Sequence, residues 1–190
     1  MRQVGWTGLA VALLLSLGNY VIRFARWQYY LHHLGYHLAA WRSWNIYLSG
    51  FALTTTPGKA GEAVRSMFLS KHQIPASASL AALISERLSD LIAIVLHSCI
   101  GLLEFPAMRA PIAAMILLVG VWGVVMYRPF LDKMTAITQG KPQKWAQIVN
   151  KTVHILLQAQ RCNQWQKVIL TTAISTLAWA MEGWAFYLLL

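Results

Sequence analysis

The run Val4–Ile22 holds nineteen residues without a charge. As a helix it measures about 28 Å at 1.5 Å per residue, close to the roughly 30 Å hydrocarbon core of a bilayer. It begins after a single basic residue, Arg2, and has no small-residue cleavage site before the next polar stretch. It therefore reads as a retained span rather than a signal peptide. Arg23, Arg26 and Trp27 close it with the basic and aromatic residues of a membrane–water boundary. Composition removes the soluble alternative. Charged residues make up 12% of the chain and AVILMFWYC 57%, whereas a soluble domain carries about 25% charged residues. Disordered, coiled-coil and collagen-like chains need polar or repetitive composition and are excluded too.

Hydropathy along the chain predicts an all-α polytopic membrane protein. About four helices span, over Val4–Ile22, Pro75 to Leu103, Pro111 to Tyr127 and Val168 to Leu190. Gln28–Arg42 mixes His, Tyr and Trp and is expected at the interface. Trp44–Thr56 is apolar but short and runs into Pro57-Gly58, so residues 44–70 predict a re-entrant hairpin. The stretch 128–167 holds seven Lys and Arg against Asp132, a net +6 within a chain total of +10. Within it Trp145, Ile148, Val149, Thr152, Val153, Leu156 and Leu157 share one helical face, opposite Lys144, Gln147, Lys151, His154 and Gln158. That pattern predicts an amphipathic helix lying on anionic lipid. Its charge places 128–167 in the cytoplasm and the 104–110 turn outside. The same reading of the charge, with no reader motif beside it, argues against nucleic acid as a partner.

Two constellations could carry chemistry. In TTTPGKAGEAVR, residues 54–65, Lys59 is followed by Glu62 and Arg65, which pair if a helix starts near Gly61. The start of that helix would face an anion. The segment is not a P-loop, because Leu53 and Ala60 stand where Gly and Ser or Thr are required. In ISERLSDLIA, residues 84–93, Glu86 and Asp90 are one turn apart and Arg87 braces them. Charges at the centre of a membrane helix cost about 2.5–3.5 kcal/mol each. These three therefore sit either at a wet helix end or in a polar cavity, and the nearness of two such clusters favours the cavity. Glu182 is a lone acid inside the last span: protonated, paired with an Arg of another helix, or functional. His33 and His37 have the i, i+4 spacing of helical metal ligands but no acidic partner and no HExxH, so no metal site is expected. Cys99 and Cys162 are isolated thiols. Neither a nucleophile arrangement nor a cofactor motif is present, and no catalytic residue is predicted.

Four segments carry a resemblance: NYVIRFARWQYYL (Asn19–Leu31), GFALTTTPGKAGEAVRSMFL (Gly50–Leu69), ERLSD (Glu86–Asp90) and AWAMEGWAFYL (Ala178–Leu188). In order and spacing they resemble the flippase-like family of bacterial membrane proteins, which includes the transmembrane region of lysylphosphatidylglycerol synthases. The resemblance implies a helical inner-membrane domain over residues 1–190 that moves or houses an anionic or aminoacylated phospholipid or a lipid-linked sugar. It assigns the family's charges to Arg23, Arg26, Lys59, Glu62, Arg65, Glu86, Arg87 and Asp90, beside which Glu182 stands from the reading above. Members are usually longer, with a second glycine-rich, Glu-bearing segment, and the synthases add a soluble aminoacyl-transfer domain. The chain is thus expected to be the front part of such a domain. The partners implied are the lipid and, beside it, a second half-domain or a lipid-modifying enzyme. Two rival readings remain: a membrane anchor for a separate synthase or glycosyltransferase, and an enzyme using Glu86 and Asp90 as acid and base. The last ranks lowest, because carboxylates braced by Arg stay ionised.

Overall fold

A computed structural model describes residues 5–52, 60–101, 105–140 and 143–190. The described residues form helices joined by short turns, with no strand among them: α1 (Trp6–His33), α2 (Ala40–Ala52), α3 (Ala60–Ser70), α4 (Ala76–Gly101), α5 (Arg109–Val125), α6 (Arg128–Thr138), α7 (Lys144–Cys162) and α8 (Trp165–Leu189). α1, α4 and α8 pack on one another. The α2–α3 pair leans on α1 and α4, and α5, α6 and α7 close the other side.

Small residues make the central contact. α4 turns inward Ala78, Ala81, Ala82, Ser85, Ser89 and Ala93, and α8 turns inward Thr171, Thr172, Ser175 and Ala178. Small side chains let helix backbones approach closely where lipid leaves no hydrophobic drive for association. Large apolar residues point outward instead, among them Leu13, Leu14 and Leu17 on α1, Leu117, Leu118 and Val124 on α5, and Ile169 and Phe186 on α8. An exterior of large apolar side chains around buried Arg, Glu, Asp and Ser reverses the soluble pattern.

The predicted helices are present, with informative differences at their ends. α1 runs on to His33, so Gln28–His33 forms its last turns. Trp27, Tyr30 and Leu31 there are buried against Ile46, Tyr47, Leu69 and Ala78. The Tyr30 hydroxyl donates to the Ser85 carbonyl at 3.2 Å, and Ser43 donates to the Gln28 side chain at 2.6 Å. α1 stops at Gly35, whose φ of 87° closes a Schellman turn, with Tyr36 N–H donating to Leu31 O at 3.0 Å. This break separates His33 from His37, so the two do not share a helical face. His33 Nδ1 lies 3.0 Å from Tyr29 O instead.

α2 and α3 form the expected hairpin, beginning at residue 40 rather than 44. At 13 and 11 residues they measure about 20 and 17 Å, each too short to cross a bilayer alone. Gly50 and Gly61 meet backbone to backbone, and a Cβ on Gly61 would collide with the Gly50 carbonyl. α3 ends where Gln73 takes φ 62°, and Pro75 precedes α4.

Among the described residues α1 is the helix long and apolar enough to span by itself. α4 and α8 have the length, but their inward faces are polar. α5 has 17 residues and meets that test together with α6 across a 58° bend. α7 buries Ala146, Val153, Ala159 and Cys162 against the bundle, while Trp145 and Ile148 of its predicted apolar face stay exposed.

Candidate functional site

Four helices bring the charged residues together. Asn19, Arg23 and Arg26 lie on successive turns of one face of α1, Glu86 and Asp90 on one face of α4, and Trp179 and Glu182 on α8. Arg65 arrives from α3. Together they line a cavity of about 360 Å³.

Asp90 is the hub. Its two carboxylate oxygens accept from both terminal nitrogens of Arg26, at 2.6 and 3.2 Å. This bidentate pair is nearly dry, since Arg26 is 2% exposed. Ser89 Oγ accepts from Arg26 at 3.2 Å, and Ser175 Oγ accepts from it as well. Arg23 approaches the same carboxylate at 3.6 Å and Arg87 at 3.9 Å. Arg23 also donates to Glu182 at 3.1 Å and to Asn19 Oδ1 at 2.7 Å, and Asn19 in turn donates to Glu182 at 3.1 Å.

Glu86 has a separate partner. Arg65 lies 3.5 Å from it and stacks over the rings of Tyr47 at 4.6 Å and Trp27 at 5.4 Å. Among the described residues the buried Arg65 Nε has no hydrogen-bond partner, and neither has that of Arg26. Among the described side chains the cavity thus has four guanidinium groups against three carboxylates, a surplus of one positive charge. Two groups face outward: Arg87 is 59% and Glu182 55% exposed.

Seven of the nine predicted site residues meet here: Arg23, Arg26, Arg65, Glu86, Arg87, Asp90 and Glu182. Lys59 and the Glu62 side chain lie outside the described residues, and with them the expected Glu62–Arg65 pair. The expected brace of Arg87 across Glu86 and Asp90 is a lesser contact. The close guanidiniums come from α1 and α3. Glu182 is not a lone acid, because α8 sets it beside Arg23 and Asn19. Sequence reading missed Asn19, Trp27, Tyr47, Ser89, Ser175 and Trp179 as site residues. Asn19 had a signal, being a polar side chain four residues before Arg23 in an apolar span. Trp179, whose ring lies 5.0 Å from the Arg23 guanidinium carbon, had none.

The family model for the lysylphosphatidylglycerol synthase transmembrane region matches residues 1–190. The chain belongs to that family. It is accordingly a membrane protein with transmembrane helices, of a family connected with lipid. Comparison with curated proteins and with solved structures returns no match. Among the described residues no group of three or more His, Cys, Asp and Glu is placed to hold a metal ion.

Proposed function

We propose that the chain binds the headgroup of an anionic or aminoacylated phospholipid, or of a lipid-linked sugar, in the charged cavity and carries it across the membrane. In this reading the membrane is the bacterial inner membrane and the 128–167 segment faces the cytoplasm. The observation that supports it is the surplus cation of a cavity set between helices whose outer faces are apolar. An anionic headgroup neutralises that surplus while its chains remain in lipid.

The arginines divide by role. Arg26, its two terminal nitrogens held by Asp90, holds the helices together. Arg23, Arg65 and Arg87 supply the phosphate contacts. Glu182, exposed beside Arg23, offers the opposite charge to an aminoacyl ammonium. Without a nucleotide motif, movement is passive or coupled to an ion gradient.

Proteoliposomes with a headgroup-labelled anionic lipid test this, by bleaching from outside. The native chain exposes inner-leaflet label to the quencher. Arg23→Gln and Arg87→Gln slow that exposure about tenfold, the worth of a hydrogen bond to a charged group. Unchanged rates in both variants remove the mechanism. A native chain no faster than empty vesicles supports the rival reading, an anchor for a lipid-modifying enzyme.

A further inference from the structure

A second cavity, of about 640 Å³, lies between α4, α5 and the junctions Met126–Pro129 and Gln160–Gln164. Its wall is apolar: Leu88 and Ile92 of α4, Val119 and Trp122 of α5, Met126 just after it, and Val168 of α8. Its mouth is cationic, with Arg128 and Arg161, both exposed. Neither guanidinium forms a salt bridge among the described residues, although Asp132 is one turn along from Arg128. The Lys167 ammonium donates to the Arg161 carbonyl at 2.8 Å and brings a third cation to the same corner.

Two further features suit an anion at this mouth. The N-termini of α6 and α8 both open on it, through Tyr127 and Gln164, and neither start has a side-chain cap. The side-chain nitrogens of Trp122 and Asn163, two other lining residues, are buried donors without a partner among the described residues. Tyr127 and Trp165 stand exposed beside the mouth, as aromatic residues do at headgroup level.

We propose that this cavity is a docking site for an anionic phospholipid, distinct from the charged cavity. Its phosphate sits between Arg128 and Arg161, and one acyl chain lies in the groove walled by Leu88, Ile92, Trp122 and Val168. The charge of the mouth and the dryness of the wall select this occupant: a soluble anion has no use for the groove, and a neutral lipid none for the arginines. An adjoining apolar groove shares Leu88 and Trp122 and continues to Arg87, so a docked lipid lies on a path toward the charged cavity. The site stands whether or not lipid crosses the membrane there.

The test reconstitutes the full chain with phosphatidylglycerol carrying a mid-chain diazirine, at sub-saturating amounts. Photo-adducts are mapped by peptide mass spectrometry. Adducts are expected within 119–126 and 160–168. A basic side chain near a membrane surface is worth about fivefold in affinity for anionic lipid, so Arg128→Gln with Arg161→Gln lowers their yield about thirtyfold. The groove is blocked separately with Gly123→Phe, since a Cβ at Gly123 meets nothing within 4 Å. That variant keeps every charge and loses the adducts. Arg23→Gln in the charged cavity leaves them in place. Adducts that survive either the double-Gln or the Phe substitution overturn the proposal, as does their loss in Arg23→Gln. Circular dichroism of each variant confirms that the fold is intact.

Discussion

Asp90→Asn is the substitution that most directly tests how the bundle is held. It keeps the size of the side chain and removes one charge. Arg26, buried at 2% exposure, then keeps its positive charge and loses the carboxylate that holds both its terminal nitrogens. Glu86 cannot replace it, being engaged with Arg65 at 3.5 Å. Leaving one member of a buried pair without its partner costs about 3–5 kcal/mol. At about 2–4 °C per kcal/mol for a chain of this size, melting falls by roughly 6–20 °C. Arg87→Gln touches the same carboxylate from 3.9 Å with an exposed side chain and costs no more than about 1 kcal/mol. Removing both buried charges together, Arg26→Met with Asp90→Leu, recovers most of the loss, because no orphan charge remains. Far-UV circular dichroism melts in one detergent compare the four proteins. An Asp90→Asn melt within about 2 °C of native, or a double variant no better than the single one, refutes the reasoning.

Three other outcomes follow from packing and burial. Gly61→Ala forces α2 and α3 apart and lowers stability by about 1–3 kcal/mol, as overpacking does. Gly18→Ala meets only the terminal methyl of Met181, at 2.7 Å, which swings aside, so it stays within about 1 kcal/mol of native given the higher helix propensity of Ala; the same melts separate the two. Burial pushes the Cys162 thiol up to about 11, leaving about one molecule in a thousand as thiolate at pH 8. A permeant maleimide therefore labels Cys162 only after denaturation, and its labelling in the folded protein near neutral pH would contradict the packing of α7.

The helices were legible because each apolar run and each break by Pro or Gly is local. The hairpin followed from a run too short to span and the break at Pro57-Gly58. The charged positions were legible too, since an ionised side chain in an apolar helix is conspicuous wherever it falls. Their pairing was not. Spacing along α4 offered Arg87 to Asp90, but the bidentate partner is Arg26, sixty-four residues earlier, and only the packing of α1 on α4 joins them. Glu182 looked solitary for the same reason. The periodicity of α7 was legible as well, whereas the burial of Ala146 and Ala159 was not, because a count of large apolar residues gives small ones no weight. For His33 and His37 the i, i+4 spacing carried no weight, since such spacing has meaning only inside an unbroken helix and Gly35 breaks this one.

The contact between Gly50 and Gly61 fixes more than a distance. Two backbones that touch without intervening side chains have no clearance for one helix to slide along the other, so the α2–α3 pair moves as one lever or not at all. Arg65 is mounted on that lever, one turn from the fulcrum, with its guanidinium clasped by Tyr47 of the other arm. Its separation from Glu86, anchored in α4, is then a gauge of the lever's position, and any swing of the hairpin is written directly into the charge balance of the cavity.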